Sequence, residues 1–105
     1  MKPEPEARRR IGRERKKKTM PVLAKFYGIV IRLLCVRSLG ARLHAFYGDA
    51  ELVINLRTLK IIQSDAPPRV RELVLVWARQ HYRELQANAE LVYRGQPPLA
   101  IAPLA

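Results

Sequence analysis

Residues that commonly build reactive centres are scarce in this chain. Its 105 residues include one cysteine and two histidines. A single cysteine excludes an intramolecular disulfide and suits a reducing compartment, so a cytoplasmic protein is expected. Cys35 stands in an apolar, strand-like run, where a free thiol behaves as a small buried hydrophobe. Two histidines, that cysteine and scattered carboxylates give no spacing of zinc ligands. There is no glycine-rich phosphate loop, no paired-cysteine motif and no local signature of a Ser/His/Asp nucleophile. Neither a metal nor a cofactor is expected. No apolar run approaches the ~20 residues of a membrane span, and Arg32 interrupts the stretch from Gly28 to Val36. The charged N-terminus is not followed by the apolar region of a signal peptide.

Acidic residues are also few: 9 Asp and Glu stand against 20 Lys and Arg, a formal net charge of +11. Such a balance favours anionic partners such as nucleic acid or an acidic protein. Its distribution is uneven. Residues 1–20 hold nine basic residues against three Glu, a net of +6, and residues 21–105 hold eleven against six, a net of +5. Residues 1–19, with Pro3, Pro5, Arg8, Arg9, Arg10, Lys16, Lys17 and Lys18, carry too little apolar surface to offset the entropy of ordering and are expected to be a disordered basic tail. Three readings stay open for it: a nucleic-acid-binding arm working through phosphate contacts, an inert solvated tail, or a stretch upstream of a true start at Met20-Pro21.

From Met20 the pattern is that of one α+β domain, residues 20–105. Val22, Ala24 and Phe26 alternate with Leu23 and Lys25, as in a short strand or an extended lead-in. Ile29 to Val36 is β-branched and apolar, a buried strand by composition and length. Ala41 to Tyr47 forms the next strand, with Leu43, Ala45 and Tyr47 on one face and Arg42, His44 and Phe46 on the other. Gly48-Asp49 is a hairpin signal. Glu51 to Leu56 alternates again, and Leu59 to Gln63 offers a short further strand. Ser64 or Asp65 can cap a major helix whose first turn holds Pro67 and Pro68. Val70, Leu73, Val74, Trp77, Ala78 and Leu85 recur at helical spacing. A second helical stretch, Gln86 to Arg94, continues or kinks from it near Asn88, and a proline-rich tail then lies on the sheet or along an edge. The expected architecture is a small antiparallel sheet of three to four strands with a long C-terminal helix packed on one face.

Candidate chemistry is sparse. His44 is the first candidate for a ligand, a general base or a phosphate contact. Asp49 and Glu51 stand across the hairpin turn from it, and His81 lies on the helix. Arg42 shares its face, and a face of Arg, His and Tyr could grip RNA as small ribonucleases do, with Tyr27, Phe46 and Tyr47 stacking on bases. In that reading His44, Arg42 and Tyr47 form a catalytic set in which the histidine moves the proton and the arginine stabilises the phosphorane. The competing reading is a structural histidine among solvated arginines and core aromatics. Leu75 and Val76 fall off the main helical stripe and point to contact with a second chain.

Phe26-Tyr27-Gly28-Ile29-Val30-Ile31, His44-Ala45-Phe46-Tyr47-Gly48, Trp77-Ala78 with His81 and Glu84-Leu85, and Gly95-Gln96-Pro97 with Ile101-Ala102-Pro103-Leu104 together resemble the bacterial domain-of-unknown-function family 4160 over about Met20 to Leu104. The resemblance implies a small α+β domain encoded beside another small protein, in the manner of a toxin–antitoxin pair, with no activity firmly attached. It also implies a start at Met-Pro. The family's segment before the second aromatic-Gly pair is rich in histidine and proline. Here Arg37 to Leu43 replaces it and His44 alone remains; Ala89 stands where a tryptophan is often found. The function expected is that of an accessory protein that binds a small partner protein, and nucleic acid besides. The alternatives are a ribonuclease-like toxin or a degenerate inactive copy.

The arm reading has a direct test. Under it, the full chain retards a random-sequence oligonucleotide, with affinity falling steeply between about 50 and 200 mM salt. A chain beginning at Met20 loses most of that binding in the same gel-shift assay; equal binding by the two chains assigns the interaction elsewhere.

Overall fold

The computed structural model describes residues 20–105. The basic tail expected at residues 1–19 lies outside them. Five antiparallel strands are laid down in chain order: β1 (Val22–Phe26), β2 (Ile29–Val36), β3 (Gly40–Tyr47), β4 (Ala50–Asn55) and β5 (Ile61–Ser64). Two helices follow, α1 (Pro68–Gln80) and α2 (Tyr82–Tyr93). The sheet therefore has more strands than the three to four expected, because Val22–Phe26 pairs with β2 as an edge strand, across a register shift between Val22 and Ala24, rather than serving as a lead-in.

Two tight turns set the register. Tyr27 and Gly28 both take positive φ, 51° and 79°, the signature of a type I′ hairpin turn matched to strand twist. Gly48 takes φ 58° at the first central position of the β3–β4 turn, where a type II′ turn places glycine. Ile31, Ala45 and Leu52 then stand in one cross-strand row and Leu33, Leu43 and Ile54 in the next. These rows face the helices and form the core with Val74, Trp77, Ala78 and Leu85. The alternate row, Arg32, His44, Val53 and Gln63, has the opposite parity and faces away from the helices.

The expected single long helix is broken at His81 (φ −111°, ψ 25°), not at Asn88. His81 still donates its N–H to Trp77 O and accepts from Leu85 N, so the axis changes direction without leaving these backbone groups unpaired. The break carries Tyr82 and Gln86 to the β4–β5 loop, where they donate to Arg57 O (2.5 Å) and Leu56 O (3.0 Å). Neither Ser64 nor Asp65 caps α1. Its cap position is Pro67, without a side-chain bond; Ser64 Oγ accepts from Ala66 N and Asp65 Oδ1 from Glu51 N.

The tail is a strap. Asn88, 3 % exposed, donates to Leu99 O (2.8 Å) and accepts from Leu99 N (2.9 Å). Trp77 Nε1 donates to Ala102 O and Ile101 N to Leu23 O. Ile101 is buried in the core, so the tail shields the outer edge of β1. A buried amide that loses its partners is costly, and Asn88→Ala removes two bonds at once. We expect it to lower stability by about 2 kcal/mol, read as a fall in the urea midpoint at unchanged slope; Leu99→Ala, at an exposed side chain whose backbone keeps both bonds, changes little.

Candidate functional site

Helices and tail cover one face of the sheet. The other carries a half-buried apolar strip of Val30, Leu34 and Phe46, with Val53 at 4 % exposure. Val53 is buried yet lies outside the core cluster: its neighbours in register, His44 and Gln63, shelter it. Lys25, Arg32 and Arg42 bring basic charge to this face, and Glu51 is the carboxylate among them. Arg32 Nη1 is held by Met20 O at 2.8 Å.

His44 sits at the centre. Its Nδ1 lies 2.7 Å from Glu51 Oε2, and its ring stacks on Phe46 with centroids 6.3 Å apart. Glu51 pairs in register with Phe46, which makes it a diagonal neighbour of His44, within reach of a long side chain. The carboxylate selects Nδ1 as the protonated nitrogen and leaves Nε2 to face other groups. His44 Nε2 and Arg42 Nε are both sheltered from solvent and find no hydrogen-bond partner among the described residues. Asp49 and Glu51 both stand across the hairpin in sequence; the register makes Glu51 the orienting group and leaves Asp49 exposed in the turn.

The fold brings Arg42 and His44 together on one face. Tyr47, the third member of the catalytic set, has the parity of Leu43 and Ala45 and lies at the sheet's rim on the other side, where its ring packs over Gly28. Tyr27 is in the β1–β2 turn, with its hydroxyl bonded to Ala105 O. Of the three aromatics proposed to stack on bases, Phe46 alone is on the open face. His81 is on the helical side of the sheet, its ring against Trp77 at 5.5 Å and its Nδ1 2.5 Å from Glu84 Oε1, so the sheet separates the two histidines. Arg8, Arg9, Arg10, Lys16, Lys17 and Lys18 lie outside the described residues. Leu75 is half-buried against the core while Val76 is 41 % exposed. Both line a groove of about 450 Å³ between α1 and Leu104.

Among the described residues, no group of three His, Cys, Asp or Glu comes together as metal ligands, and no helix is long and apolar enough to cross a membrane. A family model, Domain of unknown function (DUF4160), matches residues 28–88. The chain belongs to the DUF4160 family. The matched span runs from Gly28 to Asn88 and takes in the open face of β2 to β4, the Gly48-Asp49 turn and the tail-binding asparagine. No curated protein and no solved structure matches this DUF4160 chain.

Cys35 lies on the helical side of β2, its sulfur 4.0 Å from Ala89 O. Burial pushes its thiol from 9.0 up to about 11, which suits an inert thiol rather than a nucleophile. The folded state therefore holds the proton more tightly than the unfolded chain. Its contribution to stability is full below pH 9 and declines as pH rises towards 11. At pH 8 we expect Cys35 to react with a disulfide reagent about 100-fold more slowly in the folded protein than in urea. Equal rates would place the thiol in solvent.

Proposed function

We propose that this DUF4160 protein is a binding module of a toxin–antitoxin type pair, working in a reducing cytoplasm, whose open sheet face docks a small acidic partner protein. One observation carries the reading: among the described residues, helices seal one face of the sheet and the other presents Val30, Leu34, Phe46 and Val53 interleaved with Lys25, Arg32 and Arg42. Apolar side chains of this kind supply the contact area of an interface. The basic charge among them steers an acidic partner and speeds encounter. The partner this reading expects is a small acidic protein encoded beside this chain, as in the pairs that the family resemblance implies. Co-expressed with it, the wild-type chain should elute as a stoichiometric complex. Phe46→Asp, which puts a carboxylate in the strip, should elute alone with unchanged circular dichroism. A Phe46→Asp complex as stable as the wild type removes the open face from the interaction.

The His44–Glu51 pair supports a second reading, cleavage of RNA with His44 as proton carrier and Arg42 as the phosphate contact. Two features weigh against it: His44 Nε2 is sheltered, and Tyr47 lies across the sheet. Purified chain incubated with RNA separates the readings. Cleavage that disappears in His44→Ala favours the ribonuclease; no cleavage by the wild type, with partner binding retained in His44→Ala, favours the binding module.

A further inference from the structure

We infer that the outer face of α1 is a self-association surface, on which α1 of a second copy of this chain packs antiparallel about a twofold axis at Leu75 and Val76. This surface lies on the helical side of the sheet and goes beyond the docking reading, which concerns the opposite face. Side chains on a helix advance by roughly 100° per residue. Val70, Val74, Trp77 and Ala78 are buried in the core and so define the inward direction of α1. The opposite direction passes between Leu75 and Val76. Val76 is 41 % exposed there, and Leu75 is half-buried beside it. With Leu73 and Leu104 they give the groove of about 450 Å³ its apolar lining.

The charges identify the occupant. Glu72 and Arg79 both lie on the outward line, seven residues and close to two turns apart, at equal distances from the midpoint of Leu75 and Val76. An antiparallel copy centred on that midpoint brings Glu72 of each chain opposite Arg79 of the other. The contact forms twice, because a twofold interface makes each contact in both directions. A parallel copy would instead oppose like charges. Both residues are available: Arg79 enters no ion pair among the described residues. Glu72 has an exposed partner, Arg69 at 3.7 Å on its own helix, in a kind of pair that contributes little, and a carboxylate accepts from more than one donor. Other occupants fit less well. The basic residues 1–20 would meet Arg69 and Arg79, and an acidic chain or a nucleic acid would meet Glu72 on the central line. In such a dimer the sheets lie outside the helices, so the two open faces turn away from each other and both stay free to dock.

The test is sedimentation equilibrium of the full chain at about 150 mM salt, which screens its net charge. Concentrations run from about 10 µM to 1 mM, a range set by the small area that one helix face can bury. We expect a monomer–dimer equilibrium. Glu72→Arg and Arg79→Glu each set like charges opposite one another and should raise the dissociation constant at least about tenfold. Mixed in equal amounts, these two variants regain complementary pairs and should form a heterodimer about as tight as the wild-type dimer, a recovery that a merely structural role would not give. Val76→Asp should abolish the dimer with unchanged circular dichroism, and Phe46→Asp, across the sheet, should leave it intact. A monomer at every concentration overturns the inference, whether residues 1–19 or another protein covers the face. A dimer that persists in Val76→Asp, or charge variants that do not recover on mixing, overturn it by placing the contact elsewhere. Capture of the acidic partner is read separately through Phe46→Asp, so either reading can fail while the other stands.

Discussion

Everything in this domain depends on the period-two alternation of one sheet that the described residues cover on one side only. Five strands offer two faces, and the described residues supply two helices and a short tail. Ile31, Leu33, Leu43, Leu52 and Ile54, all at 0 % exposure, take the covered side. Each residue between them is thereby committed to the other side. A slip of one residue would exchange the two sets, placing Arg32, Arg42 and His44 against Trp77. The core forbids that slip, and the two tight turns fix the register that avoids it. The open face is thus the necessary reverse of the core.

The same alternation decides which chemistry-bearing residues can meet. It brings Glu51 to His44 and keeps Arg42 beside them. It also puts Tyr47 and His81 on the far side, where no side-chain rotation reaches His44. Edges are treated unequally. The tail, held by Asn88, Trp77 and Ile101, covers β1. β5 is four residues long and carries a register irregularity at Ile61 and Ile62, a device that blunts an open edge by length and twist.

Much of this was legible in the chain. Strand alternation from Arg42 to Phe46 and from Glu51 to Asn55 reads directly, because side-chain period and burial agree there. The helical stripe reads equally well as far as Trp77. What failed was connection rather than composition. The helix breaks at His81, although the residues on both sides favour helix; the bonds of Tyr82 and Gln86 to the β4–β5 loop are long-range and leave no local mark. Ser64 and Asp65 have good capping chemistry, but nearby backbone groups of Ala66 and Glu51 take them first. Asn88 reads as a kink because a polar residue in a helix interior usually competes with the backbone. Its partner is instead the tail, eleven residues on. Of the site, His44 and Arg42 were visible. Choosing Glu51 over Asp49 required the diagonal geometry of the hairpin.

Between catalysis and binding, the decisive quantity is access. A proton carrier must touch its substrate, and the free nitrogen of His44 is sheltered on the face where it would have to act. A docking face makes no such demand: its apolar side chains meet the partner's surface while His44 stays packed among them. Glu51 contributes by holding the ring in place, which spares the interface the cost of ordering it. A half-buried histidine, oriented by Glu51 and held among apolar side chains, is therefore better suited to shaping a docking face than to turning over a substrate.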